Sequence, residues 1–146
     1  MENHESINNI LVRLFRNILD SEEKCVCSGD FKDLSITEIH IIENIGIGSE
    51  RNMSDTAKNV KVTSGTLTIA INNLIRKGYV ERRRSETDRR VVKIKLTEKG
   101  DEAFRLHDSF HVDMVYTVIE GLNDEEQLLL VDVLRNIERH FNKKYM

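Results

Sequence analysis

Five histidines and two cysteines are the metal- and nucleophile-type residues of this 146-residue chain. His107 and His111 stand at i and i+4, so a helix puts both imidazoles on one face at a metal-ligand spacing. The stretch His107-Asp108-Ser109-Phe110-His111 is one residue type away from the H-E-x-x-H pattern of zinc hydrolases. Its carboxylate is the shorter one, and no third ligand is evident from spacing. His40, with Cys25 or Cys27, could extend a metal set. The two cysteines lie too close together to close an ordinary disulfide loop. No adjacent base marks either of them as an activated thiol, so both read as bystanders. P-loop, Rossmann glycine pattern and nucleophile elbow are all missing. The expectation is a protein that is not an enzyme, with no catalytic residue, no resident metal and no cofactor.

A second kind of chemistry is concentrated in the middle of the chain. Residues 61–95 hold ten basic side chains against three acidic ones, a charge of +7. The whole chain carries -3, so the rest carries -10. Arg82, Arg83, Arg84, Arg89, Arg90, Lys93 and Lys95 make most of this patch. Charge runs are commonly solvated faces, but a basic segment on an acidic body also suits a phosphate backbone.

The elements that must position these charges decide between the two. Residues 54–60 read as a short helix and Lys61-Val62 as a turn. Thr63 is a good N-cap for a second helix that runs to Lys77 and stops at Gly78. Residues 79–84 and 91–96 read as strands, joined by the charged loop 85–90. Helix, turn, helix and basic hairpin together are the layout of a winged helix-turn-helix. On the second helix Leu67, Ala70, Ile71 and Leu74 share one face, which suits the core. The opposite face carries Gly65, Thr68, Ile69, Asn72 and Arg76, small at its start and mostly polar, as entry into a major groove requires. An amphipathic surface helix gives the same pattern; the basic hairpin directly behind it favours DNA.

Several residues in this segment resemble the MarR family of bacterial transcription regulators. They are Asp88-Arg89-Arg90, then Val91-Val92 and Leu96-Thr97-Glu98-Lys99-Gly100, with Gly78-Tyr79-Val80 after the second helix. The resemblance covers essentially the whole chain. It implies a mainly α fold with a small β wing, in one MarR-type domain over residues 1–146. Residues 1–30 and 98–146 would be dimerisation helices and 35–97 the winged helix-turn-helix. Thr63, Ser64, Thr66, Thr68 and Asn72 are expected at phosphates or base edges, with Ile69 and the threonine methyls against thymine methyls. No Arg or Gln opens the helix, so an A·T-rich site read partly by shape is expected. The resemblance puts Arg90 in the minor groove, where narrow A·T tracts attract arginine. Arg84 and Arg89 would join it on the DNA, and Asp88 would fix the wing by pairing with a wing arginine or serve as a plain turn residue.

The flanking helices suggest assembly. In residues 6–23, Ile7, Ile10, Leu11, Leu14, Phe15, Ile18 and Leu19 follow the i, i+3, i+4, i+7 pattern. Residues 24–34 read as a loop. Ser35 and Glu38 make a capping box for a helix through Ile45. A long helix capped by Thr97 reaches about residue 120, and Asn123 caps a last one over 124–142. Leu128, Leu129, Leu130, Val131, Val133, Leu134, Ile137 and Phe141 are too many for one buried stripe. A second copy could cover them, and a two-fold homodimer would read a pseudo-palindromic operator in double-stranded DNA with half-sites about one turn apart. No apolar run approaches the ~18 residues of a membrane span, and no signal-peptide pattern appears, so a soluble cytoplasmic protein is expected.

A narrower resemblance concerns the effector. Gly29-Asp30-Phe31-Lys32-Asp33-Leu34-Ser35-Ile36 with His40, Asn72-Asn73-Leu74 with Arg76-Lys77-Gly78-Tyr79, Arg84-Ser85, and Leu106-His107 with Phe110-His111 resemble the fatty-acid-synthesis repressors within the family. That implies a repressor of fatty-acid biosynthesis genes with long-chain acyl groups on acyl carrier protein as corepressor. Leu11, Phe15, Phe104, Phe110 and Met114 are the expected lining of an acyl tunnel, though each also fits core or dimer seam. The alternative is a metal- or redox-sensing repressor of the same type; a zinc hydrolase is the remote one.

Overall fold

A computed structural model describes residues 2–146, with side chains from residue 3 onward. Met1, the start of the first expected dimerisation segment, lies outside the described residues. The chain packs as two compact units, Met1–Phe110 and His111–Met146.

The first unit begins with α1 (Glu2–Val26), a 3-10 turn (Gly29–Phe31) and α2 (Ile36–Ile45). It continues through β1 (Arg51–Asn52), α3 (Met53–Asn59) and α4 (Ser64–Lys77) to the hairpin of β2 (Val80–Arg84) and β3 (Val92–Leu96). The first half of α5 (Glu98–Ile119) closes it. The three strands form an antiparallel sheet in the order β1-β3-β2. This is the expected winged helix-turn-helix, with helices flanking a small sheet.

Its core is aliphatic. Ile39, Ile41, Ile42 and Ile45 of α2 meet Leu67, Ile71 and Leu74 of α4, with Tyr79, Val80, Ile94 and Leu96 from the sheet and Ala103 from α5. Each fully buried Leu or Ile contributes about 1.5–3 kcal/mol of transfer free energy. Leu67, Ile71 and Leu74 are the face the sequence assigns to the core, with Ala70 half-buried beside them.

Local signals set the element ends. Ser35 and Glu38 form the expected capping box. Asn52 caps α3, one residue earlier than the expected helix start, by accepting the Asp55 N–H at 2.8 Å. Thr63 caps α4, accepting the Thr66 N–H at 3.1 Å. Gly78 ends α4 with φ +87°, a left-handed conformation that glycine adopts without a Cβ penalty. Lys61, in the turn between α3 and α4, also has positive φ, +56°. α1 runs three residues past the expected end, so the loop starts later and is partly a 3-10 turn.

The hairpin is tied to α5 at one junction. Thr97 Oγ1 donates to the Gly78 carbonyl at 2.6 Å and accepts the Gly100 N–H at 3.2 Å. The Thr97 N–H donates to the Tyr79 carbonyl at 3.0 Å. A Cβ on Gly100 would stand 2.2 Å from that same carbonyl oxygen, so the approach requires glycine.

The second unit holds the rest of α5 and α6 (Asp124–Tyr145). Asn123 and Glu126 form a full capping box. No residue of α6 is buried within this chain, and Leu128, Leu129, Leu134 and Phe141 are each more than half exposed. Among the described residues no helix is long and apolar enough to cross a membrane.

Candidate nucleic-acid interface

α4 presents one polar face outward. Thr63, Ser64, Gly65, Thr66, Thr68, Ile69 and Asn72 are all exposed, with Ile69 at 66%. Several hydroxyls are already committed. Thr63 Oγ1 both caps the helix and donates to Thr66 Oγ1 at 2.9 Å. Thr68 Oγ1 donates back to the Ser64 carbonyl at 2.8 Å, leaving its methyl and lone pairs outward. Thr63 is therefore first a cap, and the outward chemistry of α4 rests on Ser64, Thr66, Thr68, Ile69 and Asn72.

Asn72 is fixed from the wing. Arg82 Nη1 of β2 donates to Asn72 Oδ1 at 3.0 Å. A guanidinium only donates, so the amide must turn its oxygen to the arginine and its NH2 group elsewhere. Thr68, Arg82 and Arg90 line one cleft together with Asn52–Asp55, Val91 and Val92. This cleft joins the recognition helix, the start of α3 and the wing.

The wing sorts its charges by strand face. Arg83 and Lys93 are cross-strand partners, and both reach Glu50. Arg83 donates twice, at 2.6 and 2.8 Å, and these bonds hold the Glu50 carboxyl below its ordinary range. Glu81 and Lys95, also paired across the strands, make an ion pair at 2.8 Å. Arg84, Arg89 and Arg90 are exposed and make no ion pair among the described residues. The basic patch is thus divided, part locked within the protein and part available to an anion.

The wing tip organises itself. The Ser85 N–H donates to the Val91 carbonyl at 2.9 Å, and Ser85 Oγ and Thr87 Oγ1 lie 3.0 Å apart. Asp88 Oδ1 accepts the Arg90 backbone N–H at 3.0 Å. Among the described residues Asp88 makes no ion pair, which corrects the expected pairing with a wing arginine. A carboxylate two residues before an N–H closes a short turn more readily than it reaches a long, solvated guanidinium. Asp88 acts on Arg90 by shaping the backbone that carries it.

The other end of α4 is clamped to the core. Lys77 Nζ donates to both oxygens of buried Glu38, at 2.8 and 3.0 Å, and also to the Asp33 carbonyl. Glu38 at the same time accepts the Ser35 N–H at 2.9 Å. Tyr79 Oη donates to Asp33 Oδ1 at 2.7 Å; burial first, then this bond, pushes the phenol well above its ordinary pKa.

The remaining sequence candidates lie elsewhere. Leu11 is half-buried and Phe15 is 55% exposed on α1, while Phe104 packs against the core from α5 and Phe110 is half-buried. Met114 belongs to the second unit. His107 is buried and hydrogen-bonded to Glu22, a residue the sequence reading passed over. Its signal was present: Glu22 is an acid on the α1 stripe of Leu11, Ile18 and Val26. His40 also contacts Glu22, and His111 follows one turn beyond His107 on α5. Asp108 is exposed. Cys25 and Cys27 are free and half-buried. Burial, then Glu23, Glu22 and Glu38, raises the Cys27 thiol pKa, opposite to the shift that activates a redox cysteine.

Fold and interface define a winged helix-turn-helix transcriptional regulator that binds DNA. A family model described as transcriptional regulator SarA/Rot matches residues 29–105, and the chain belongs to that family. The crystal structure of Streptococcus pneumoniae FabT in complex with DNA is 42% identical, with a TM-score of 0.86 over 96% of this chain and 98% of that one. The transcriptional repressor YetL of Bacillus subtilis is 28% identical over 142 residues, 93% of this chain and 85% of the relative. AbsC, a MarR family regulator from Streptomyces coelicolor, shares the fold at 24% identity and a TM-score of 0.72, covering 99% of this chain and 97% of that one.

Proposed function

We propose that the chain is a homodimeric repressor that reads a pseudo-palindromic, A·T-rich operator and answers to long acyl chains on acyl carrier protein. The single observation that carries the DNA part is the exposed polar face of α4 beside the unpaired Arg84, Arg89 and Arg90. Thr66, Thr68 and Ile69 meet base edges in the major groove, with Ser64 at a phosphate near the helix start. Asn72 acts as a donor, because Arg82 holds its oxygen and leaves its NH2 group to the DNA. An amide held through its oxygen presents its NH2 group, which suits thymine O4 or a purine N7. Arg90 enters the minor groove from a turn shaped by Asp88, and Arg84 and Arg89 contact the backbone.

The dimer rests on the exposed apolar residues of α1 and α6, and the complex of FabT with DNA supports DNA binding by this fold. The acyl effector rests on the likeness to fatty-acid-synthesis repressors at residues 29–36, His40, 72–74, 76–79, 84–85, 106–107 and 110–111. Within the first unit Leu11, Phe15, Phe104 and Phe110 are its proposed contacts. Each buried methylene would contribute about 0.8 kcal/mol, so affinity must climb with chain length. The test is operator binding, with the operator selected from random duplexes, titrated against acylated carrier protein of increasing chain length. DNA affinity is expected to rise with chain length, and the rise to be blunted in Phe110→Asp. No response at any length overturns the acyl reading.

A further inference from the structure

α2, α4 and α5 each run out into a glycine of positive φ: Gly46 at +76°, Gly78 at +87° and Gly121 at +81°. After α3 that place is taken by Lys61, at +56°. Among the described residues Lys61 is the only non-glycine with positive φ. Glycine adopts this backbone without a steric penalty, and lysine does not.

The turn leaves residue 61 no choice of conformation. The Lys61 N–H donates to the Lys58 carbonyl at 3.2 Å and the Val62 N–H to the Ala57 carbonyl at 3.1 Å, the paired bonds of a left-handed helix end. Val60 and Val62 pack against the core on either side, and Thr63 then caps α4. A negative φ at residue 61 would break both bonds and shift the start of α4. Lys61 itself is exposed. A cation beside a helix C-terminus is favourable, but Lys58 already stands in the last turn of α3. Strained backbone kept where glycine would fit marks a side chain with a task.

We propose that Lys61 is a DNA-backbone contact, its ammonium neutralising one phosphate beside the start of the recognition helix. This rests on the DNA-binding reading above. Lys61 precedes the Thr63 cap by two residues and Ser64 by three, and that reading sets the Ser64 hydroxyl at a phosphate. Lysine meets phosphate as a point charge on a flexible stem, so a tight turn can carry it without fixing its geometry. Such a contact lends affinity and register and carries no sequence preference.

The test sets stability against binding in one variant of the full-length protein. Lys61→Gly removes the charge and the strain together. Its urea midpoint should equal or exceed that of the wild type. Its affinity should fall by the same factor for a duplex selected from random sequence and for the unselected pool. The slope of log K against log salt should flatten by about 0.9 for each protomer on the DNA. Lys61→Arg keeps the charge and should restore the slope. Lys61→Asn, neutral but tolerant of positive φ, should bind as Lys61→Gly does. A contact made within the protein would instead lower the midpoint of Lys61→Gly, or weaken the selected duplex more than the pool. Either result, or an unchanged slope, overturns the proposal. Salt-dependent binding by the wild type with an unchanged slope in Lys61→Gly removes Lys61 alone. Wild-type protein that binds neither duplex removes the DNA reading with it.

Discussion

Gly100 shows how much of this fold hangs on one absent side chain. Its backbone lies where a Cβ would meet the Tyr79 carbonyl oxygen at 2.2 Å and the Leu96 Cβ at 3.1 Å. That carbonyl also accepts the Thr97 N–H, so it cannot swing away without losing the bond that starts α5 beside the wing. Gly100→Ala should cost at least about 1–3 kcal/mol, the usual range for overpacking. A lower midpoint in urea at unchanged slope is the expected result; a midpoint within error of wild type would show that the junction yields freely. The glycine was legible in sequence only as part of a family pattern, because its reason is a backbone approach between residues 21 apart. Other single-residue roles were hidden for the same cause. Nothing local in Asn72 announces Arg82, whereas the turn role of Asp88, a bond to the N–H two residues on, was one of its two sequence readings. Glu22 was the one missed residue with a readable signal, an acid on an apolar stripe.

At the scale of elements, the wing is two charge systems on one hairpin. Strand pairing puts Arg83, Lys93 and Lys95 beside Glu50 and Glu81, while Arg84, Arg89 and Arg90 stay free of ion pairs among the described residues. Their responses to mutation should differ. Arg90→Ala should weaken operator binding by about 1–3 kcal/mol, the value of a good groove contact. It should also flatten the slope of log K against log salt by about 0.9 for each phosphate that is no longer neutralised. Arg83→Ala should leave that slope near wild type, since Arg83 is held by Glu50. Equal effects of the two variants, measured by anisotropy over a salt series, would refute the division. Composition gave the charge of the segment but not this division, which depends on register. The helices were legible because caps and 3.6-residue periodicity are local. β1 was not: it spans two residues and exists only by pairing with β3, a partner about forty residues away.

At the scale of the molecule, the apolar surface of the flanking helices demands a partner. Ile7, Phe15 and Leu19 on α1 are 57%, 55% and 61% exposed. On α6 Leu128 and Leu129 are 67% and 64% exposed, and Leu134 and Phe141 exceed 50%. A soluble monomer seldom leaves so many large side chains in water, and such faces mark sites of association. The capping box at Asn123 and the basic last turn at Lys143 and Lys144 stabilise α6 as a helix but bury none of it. Helix propensity accounts for its shape; only another surface accounts for its composition. A second copy is the simplest source, since a two-fold interface pairs like with like and sets two wings at a fixed spacing for a pseudo-palindrome. Folding and assembly should then be one equilibrium, and unfolding should grow easier as protein is diluted. Removing residues 132–146 deletes most of α6 while leaving the residues of the winged core in place. The truncated chain should aggregate or lose cooperative unfolding. Light scattering and thermal melts decide the matter: a monodisperse, cooperatively melting monomer would show that α6 is dispensable and that its leucines serve another partner.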